Sequence, residues 1–300
     1  MQSLPKVGMD EIVTRYELEY AERKVVKVLG ELLVGRQVFA NGKGGGGWDG
    51  GPGKKYYIYY TEVDQDEALI SMEGTTQANT KSMREEHIVR VPAITQTFVL
   101  QWRDLESARS EGFDLLGFHA TGAARKIAEA EDELMVSGEH TNWEAYGVQG
   151  LATIVGRNAL PANHAWPANA IDDILAGWAL LEADGFYDPP VLIAGPTLFK
   201  CIKDERSTSS DLSVLGFLLE NDIISGVLET SNLFSGATQD TTALLVDPDP
   251  DYLYYVQGQA PKLTTWMDKD ENVHGLLRET IAPIIARPEC VCEITGLSCT

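Results

Sequence analysis

The residues of this chain that could do chemistry are numerous, but they do not fall into the patterns that chemistry needs. Five histidines (His87, His119, His140, His164, His274) are scattered along it. No His-Glu-x-x-His is present to set two imidazoles on one helix face for zinc, and no Gly-x-Ser-x-Gly to raise a serine at a strand-to-helix elbow. Gly45-x-Gly47-x-x-Gly50 has the spacing of a dinucleotide turn. No strand pattern leads into it, however, and no helix pattern follows to offer its N-terminus to a pyrophosphate. A phosphate-cradling Gly-x4-Gly-Lys-Ser/Thr also fails at Gly53-Lys54, since Trp48 stands where the first glycine is needed and Lys55 where the hydroxyl is needed. Adjacent carboxylates such as Asp132-Glu133 and Asp172-Asp173 could act as general acid and base. Among 45 acids such neighbours arise by chance, and they are expected to be solvated. Cys290-x-Cys292 could be half of a metal site, but no second pair follows and no histidine is near in sequence. The expectation is therefore no catalytic residue, no cofactor, no metal site and no enzyme.

Composition bounds the classes that remain. A chain of 300 residues with 44% hydrophobic and 23% charged residues can build one large core or two ordinary ones and is not disordered overall. The net charge of -21 argues against gripping nucleic acid over the whole surface, because phosphate affinity comes from cations. The charge is uneven. Residues 1–55 hold nine Lys/Arg and seven acids, a balance of +2 that leaves −23 on the remainder. Such an excess, with only 12 lysines, would suit strong salt, where like-charge repulsion is screened. No apolar run reaches the roughly 18 residues of a membrane span, and the N-terminus has no apolar signal region, so no membrane partner is expected. Cys201 stands alone, while Cys290, Cys292 and Cys299 crowd the C-terminus. Free thiols or interchain disulfides are the two readings open for them.

The elements around these residues are mixed α+β. Residues 9–34 carry a partial 3.6-residue stripe and predict a helix. The tract Asn41 to Gly53 is too glycine-rich to pack and predicts a loop. Lys55–Thr61 and His87–Leu100 read as strands on either side of a polar excursion at 64–85, an arm-like hairpin that wants a neighbouring subunit to lie on. The firmest helix is His119 to Val136, with Ala123, Ile127, Ala130 and Leu134 inward, with Arg125, Lys126, Glu129, Asp132 and Glu133 outward, and stopped by Gly138. A crossover at 139–167 precedes a helix that packs Ile171, Ile174, Leu175, Trp178 and Leu181 and ends at Gly185. Then come a buried strand Val191–Ala194, a helix opened by Gly195-Pro196, and a helix near Asp211–Glu220. Strands follow at Ile223–Glu229, Thr242–Val246, Tyr252–Gln257, Leu263–Met267, Val273–Ala286 and Val291–Ile294. This order lacks the regular alternation of a doubly wound sheet or barrel.

Three segments, taken in order, resemble encapsulins. Arg125-Lys-Ile-Ala-Glu-Ala-Glu-Asp-Glu-Leu-Met-Val-Ser-Gly138 is similar to their long spine helix. Leu181 to Phe199, with Gly185-Phe186 and Gly195-Pro196, is similar to their helix–strand–helix unit, and His87 to Glu106 to the strand that leaves the extended loop and enters the spine. Encapsulins share the Hong Kong 97-like capsid fold with the major capsid proteins of tailed viruses. The resemblance runs from about residue 85 to 290. It implies an N-terminal arm at 1–54, an extended loop at 55–100, a peripheral domain at 101–164 and 265–300, and an axial domain at 165–264. It also implies a structural shell protein that assembles with itself into the pentamers and hexamers of an icosahedral capsid. The usual encapsulin N-terminal segment is replaced here by the glycine tract, which puts cargo binding in question. That departure and the relatively cationic N-terminus favour the major capsid protein of a tailed bacterial or archaeal virus, with enclosed double-stranded DNA, located in the virion capsid. The alternative is an encapsulin nanocompartment in the cytoplasm around a cargo protein. A soluble metabolic enzyme with an unrecognised site is the third reading.

Overall fold

A computed structural model describes residues 19–25, 34–41, 51, 53–63, 83–138, 147–203, 205–207, 210–231 and 241–299. Of the helix expected at 9–34, residues 19–25 are described as helical (α1), and a single turn at Gly35–Val38 (α2) follows beyond its expected end. The rest of it, most of the glycine tract, and the excursion from 64 to 82 lie outside the described residues.

Two sheets organise the chain. The first has four strands in the order Ala40–Asn41 (β1), Leu253–Met267 (β12), Val273–Ile285 (β13), Ala93–Leu100 (β4). β1 runs parallel to β12, and the other pairs are antiparallel. One stretch expected at 87–100 is in fact two strands. Met83–Arg90 (β3) pairs with Tyr56–Val63 (β2) in a separate hairpin, and β4 pairs with β13. The break falls at Val91-Pro92, where proline removes a ladder donor. Conversely, the strands expected at 252–257 and 263–267 are one continuous β12, with register shifts at Gln257–Lys262 taking up the intervening Gly258 and Pro261.

The two faces of this sheet are covered differently. On one lies Leu115–Val136 (α4), packed on β4 and β13. It begins four residues earlier than expected because Asp114 Oδ1 accepts from Gly117 N at 2.8 Å and caps it. Ala123, Ile127 and Leu134 are buried as expected, Ile127 and Leu134 each contributing about 1.5–3 kcal/mol. Asp132, expected to face solvent, is buried instead. Gly138 ends the helix at φ 64°, a left-handed position, where a side chain would strike the Gly150 backbone. The opposite face holds a small cluster of Val91, Tyr254, Val256, Ala282 and Ile284, on which Tyr57, Tyr59 and Val89 of the hairpin pack.

The second sheet has five strands in the order Gly226–Glu229 (β10), Val191–Ala194 (β7), Thr242–Val246 (β11), Val291–Thr295 (β14), Asn158–Pro161 (β5). It thus draws β5 and β14 from outside residues 165–264. All five β11 residues are buried, as a central strand demands. Ala170–Ala183 (α5) approaches β11 and β14 closely through Gly177, where a Cβ would meet Leu245 Cδ1 at 2.7 Å. Its buried face is Ala170, Asp173, Ile174, Gly177 and Leu181, so Leu175 is exposed rather than packed. Pro196–Ile202 (α6) and Val214–Glu220 (α7) complete this part. The short strands Glu205–Ser207 (β8) and Ser210–Ser213 (β9) form their own pair.

The reading of free thiols or interchain bridges is corrected for two of the four cysteines and holds as free thiols for Cys290 and Cys292. Cys201 of α6 is disulfide-bonded within the chain to Cys299 of Ser298–Cys299 (β15), with Cα atoms 5.9 Å apart. β15 pairs in parallel with Ala165–Trp166 (β6) and thereby lies against α6. Cys290 and Cys292 are free and buried, and burial pushes the Cys292 thiol up to about 12, so neither is a reactive thiolate at neutral pH.

Candidate functional site

Asp132, which sequence reasoning placed in solvent, belongs with Glu131 and Glu279 to a buried acidic cluster. Glu131 and Asp132 sit on the buried face of α4, and Glu279 on the α4-facing side of β13, all three shielded from solvent. One cation from the N-terminal segment meets them. Arg36 of α2 donates through Nε to Glu131 Oε1 at 2.6 Å and through Nη2 to Glu131 Oε2 at 3.1 Å and Glu279 Oε1 at 2.8 Å. Gln257 Nε2 also donates to Glu279 Oε1 at 2.5 Å. Asp132 accepts from Gly35 N at 2.7 Å and from Thr230 Oγ1 at 3.4 Å. Glu279 Oε2 is buried and receives no N–H donor among the described residues, and the carboxyl faces that of Glu131. Two carboxylates against one guanidinium leave an excess negative charge in a dry place. Burial and then the Glu131 charge push the Glu279 carboxyl up to about 8, and burial also raises Glu131. Burial disfavours the Arg36 charge, but the hydrogen bond and charge of Glu131 outweigh it and raise its pKa. The knot therefore holds a proton on its carboxyl pair at neutral pH and fastens α2, and with it β1, to the spine helix and the first sheet. One sequence signal was available: Glu131 lies four residues after Ile127, inside the apolar stripe.

Asp173 is likewise buried. It accepts from Trp166 Nε1 at 3.0 Å and pairs with His164 Nδ1 at 2.7 Å. Among the described residues no Ser, Thr or Cys side chain bonds His164, so the pair orients Trp166 rather than completing a nucleophilic triad. Asp172 is exposed and Glu133 half-buried. His87 bonds Thr61 Oγ1 within the hairpin, His274 bonds Asp268 Oδ2 and lowers that carboxyl, and His140 lies outside the described residues. Among the described residues no group of three metal-ligating side chains forms.

A second candidate feature is the hairpin's outer face. Period-two alternation places Tyr57, Tyr59 and Val89 inward and Tyr56, Ile58, Tyr60 and Ile88 outward. Tyr60 and Ile88 remain 60% and 61% exposed. Apolar side chains held in a row on a projecting two-stranded ribbon are the signature of a surface awaiting a partner.

The arrangement as a whole recurs in solved structures. The structure superimposes on the virus-like particle from Pyrococcus furiosus with a TM-score of 0.67, covering 94% of this chain and 100% of that one at 14% identity. It superimposes on the capsid of Myoviridae phage XM1 with a TM-score of 0.64, covering 87% and 90% at 15% identity. The fold is the Hong Kong 97-like capsid fold. Residues 17–281 match the Linocin_M18 family, encapsulating protein for peroxidase, and the chain belongs to that family. A stretch of 111 residues is 32% identical to the type 1 encapsulin shell protein EncA of Myxococcus xanthus (strain DK1622). That match spans 36% of this chain and about a third of the relative, 37% of its length. No described helix is long and apolar enough to cross a membrane.

Proposed function

We propose that this protein is the repeating subunit of a closed icosahedral shell of the encapsulin type, with a protein as its content. The observation that carries the reading is the family match over residues 17–281, which spans the hairpin, the spine helix and the second sheet except β14. The outward face of the hairpin supports self-assembly, since its inner face packs on the first sheet while Tyr56, Ile58, Tyr60 and Ile88 leave an exposed apolar surface. The four-stranded sheet with α4 serves as the peripheral domain. The five-stranded sheet with α5, α6 and α7 serves as the axial domain that clusters at symmetry axes, and residues 1–54 as the arm. Weak contacts suffice in such a shell, because closure multiplies them. Its role is structural rather than catalytic.

A tailed-virus capsid around double-stranded DNA is the second reading. It is favoured by the phage XM1 likeness in fold and by the relatively cationic first 55 residues. Particle content separates the two. Purified particles are treated with nuclease, then analysed for nucleic acid and for co-purifying protein. A stoichiometric protein guest is expected. Nuclease-resistant DNA filling the particles overturns the encapsulin reading, and an inability to form particles overturns both.

A further inference from the structure

The strand β15 is held in place largely by one covalent bond. It consists of Ser298 and Cys299, and both residues are exposed. Its pairing partner, β6, is equally short, and the pair belongs to neither of the larger sheets. Ser298 N donates to His164 O at 3.1 Å, and one residue earlier Leu297 N donates to Thr241 O at 2.9 Å. Leu297 is an anchor, with its side chain only 1% exposed. Before it, Gly296 turns the chain out of β14 at φ 76°, a left-handed position where a side chain would strike Asn163. A strand pair of this length is marginal by itself. The Cys201–Cys299 bridge is what fastens it to α6.

The two sulfurs of that bridge differ in access. Cys201 lies on the buried face of α6 and is 1% exposed, whereas Cys299 is exposed. A nucleophile from solvent therefore reaches the bond from the Cys299 side. The chain's other two cysteines, Cys290 and Cys292, are buried and do not compete. We propose that Cys299 Sγ is a thiol-exchange site for a low-molecular-weight thiol, and that exchange there unclasps β15. The incoming thiolate forms a new S–S bond to Cys299 Sγ. The Cys201–Cys299 bond breaks, and its electron pair leaves on Cys201 Sγ, which takes up the proton that the small thiol released. The product is a mixed disulfide at Cys299 and a thiol at Cys201. A second small thiol then attacks the small-molecule sulfur of the mixed disulfide, which frees Cys299 as a thiol and carries off the oxidised small thiol. In sum, two thiols are joined and one protein bridge is opened. Apolar surroundings disfavour a thiolate, so the released Cys201 keeps its proton and the bridge recloses slowly. Without the bridge, β15 frays back to the Leu297 anchor. Oxidising surroundings pin this strand, and thiol-rich surroundings free it. The inference concerns the chain itself and is independent of what a shell encloses.

Wild-type protein is incubated with reduced glutathione in native buffer and followed by intact-mass, peptide-mass and hydrogen-exchange measurements. One glutathione per chain is expected, on Cys299 alone and without denaturant. In that adduct the amides of Ser298 and Cys299 are expected to exchange at least about tenfold faster, while β11 and β14 keep their protection. An adduct on Cys201, or none until the protein is unfolded, overturns the exchange site. An adduct with unchanged exchange at Ser298 and Cys299 overturns the unclasping, and loss of protection throughout β11 and β14 overturns a local release. Cys299→Ser, which leaves Cys201 as a buried thiol, is expected to take up no glutathione after mild oxidation. Uptake by that variant would show that Cys201 is accessible and would overturn the one-sided attack.

Discussion

Replacing Glu279 by glutamine probes the buried knot directly. In the folded chain this carboxyl keeps its proton up to about pH 8, because it is enclosed and faces Glu131. In the unfolded chain a glutamate releases it near about pH 4.3. Between these values the native state binds one proton that the unfolded state does not. Stability therefore falls as pH rises through this window, by up to about 1.4 kcal/mol per pH unit, and the decline from this group ends above about pH 8. From pH 6 to pH 8 the expected loss is about 2–3 kcal/mol. Glutamine keeps an acceptor for Arg36 Nη2 and Gln257 Nε2 and offers its amide toward Glu131, but it does not titrate. Glu279→Gln is therefore expected to match the wild type within about 1 kcal/mol at low pH and to exceed it by about 2–3 kcal/mol at pH 8.5. Asp247, also raised by burial, adds to the slope of both proteins and cancels in their difference. The assay is urea unfolding followed by tryptophan fluorescence from about pH 5.5 to about pH 8.5, with equal assembly states verified by size exclusion. A difference that stays constant across this range would mean that Glu279 is ionised throughout, and the account of the knot would fail.

Two further outcomes are expected. The Cys201–Cys299 bridge closes a sequence separation of 98, so its loss by Cys201→Ser with Cys299→Ser should cost roughly 3–5 kcal/mol. The same fall in Tm should appear when the wild type is heated in strong reductant, and a Tm indifferent to reductant would count against the bridge. Ile58→Ser with Ile88→Ser alters only outward side chains of the hairpin, so subunit stability should change by less than about 1 kcal/mol. Closed particles, followed by size exclusion and electron microscopy, should be lost, and normal particles from this variant would refute an assembly role for that face.

How much of this was legible depends on how local the determining physics is. Val191–Ala194 could be read to the residue because Pro190 and Gly195 punctuate it, and the spine helix because Gly138 stops it. The start of that helix was misjudged because Asp114 is a cap whose effect shows only once Gly117 N is aimed at it. The join between β12's two halves was hidden by Gly258 and Pro261, which read as a break in isolation and are tolerated within a bulged pair. The resemblance to encapsulins made the class accessible before any geometry. The knot was not accessible: Asp132 looks solvated by local pattern, and the arrival of Gly35 N and Thr230 Oγ1 from 97 and 98 residues away makes burying it tolerable, as Arg36 does for Glu131 from 95 residues away. The bond between Cys201 and Cys299 is equally non-local, since pairing among four cysteines is decided by β15 lying on β6, not by spacing.

The same non-locality fixes an order of events during synthesis. Arg36 is among the first residues to leave the ribosome, but one of its acceptors, Glu279, lies 243 positions later, and the β1 partners Tyr254 and Tyr255 emerge scarcely sooner. Until then the amino-terminal segment has no mate in the first sheet, and Glu131 has no acid to share a proton with. A nascent or prematurely terminated chain can bring Gly35 to Asp132 and Arg36 to Glu131, but it cannot close the knot on the first sheet. Only a polypeptide translated past residue 279 can do so, and closure of the knot is in effect a report that synthesis has passed that point.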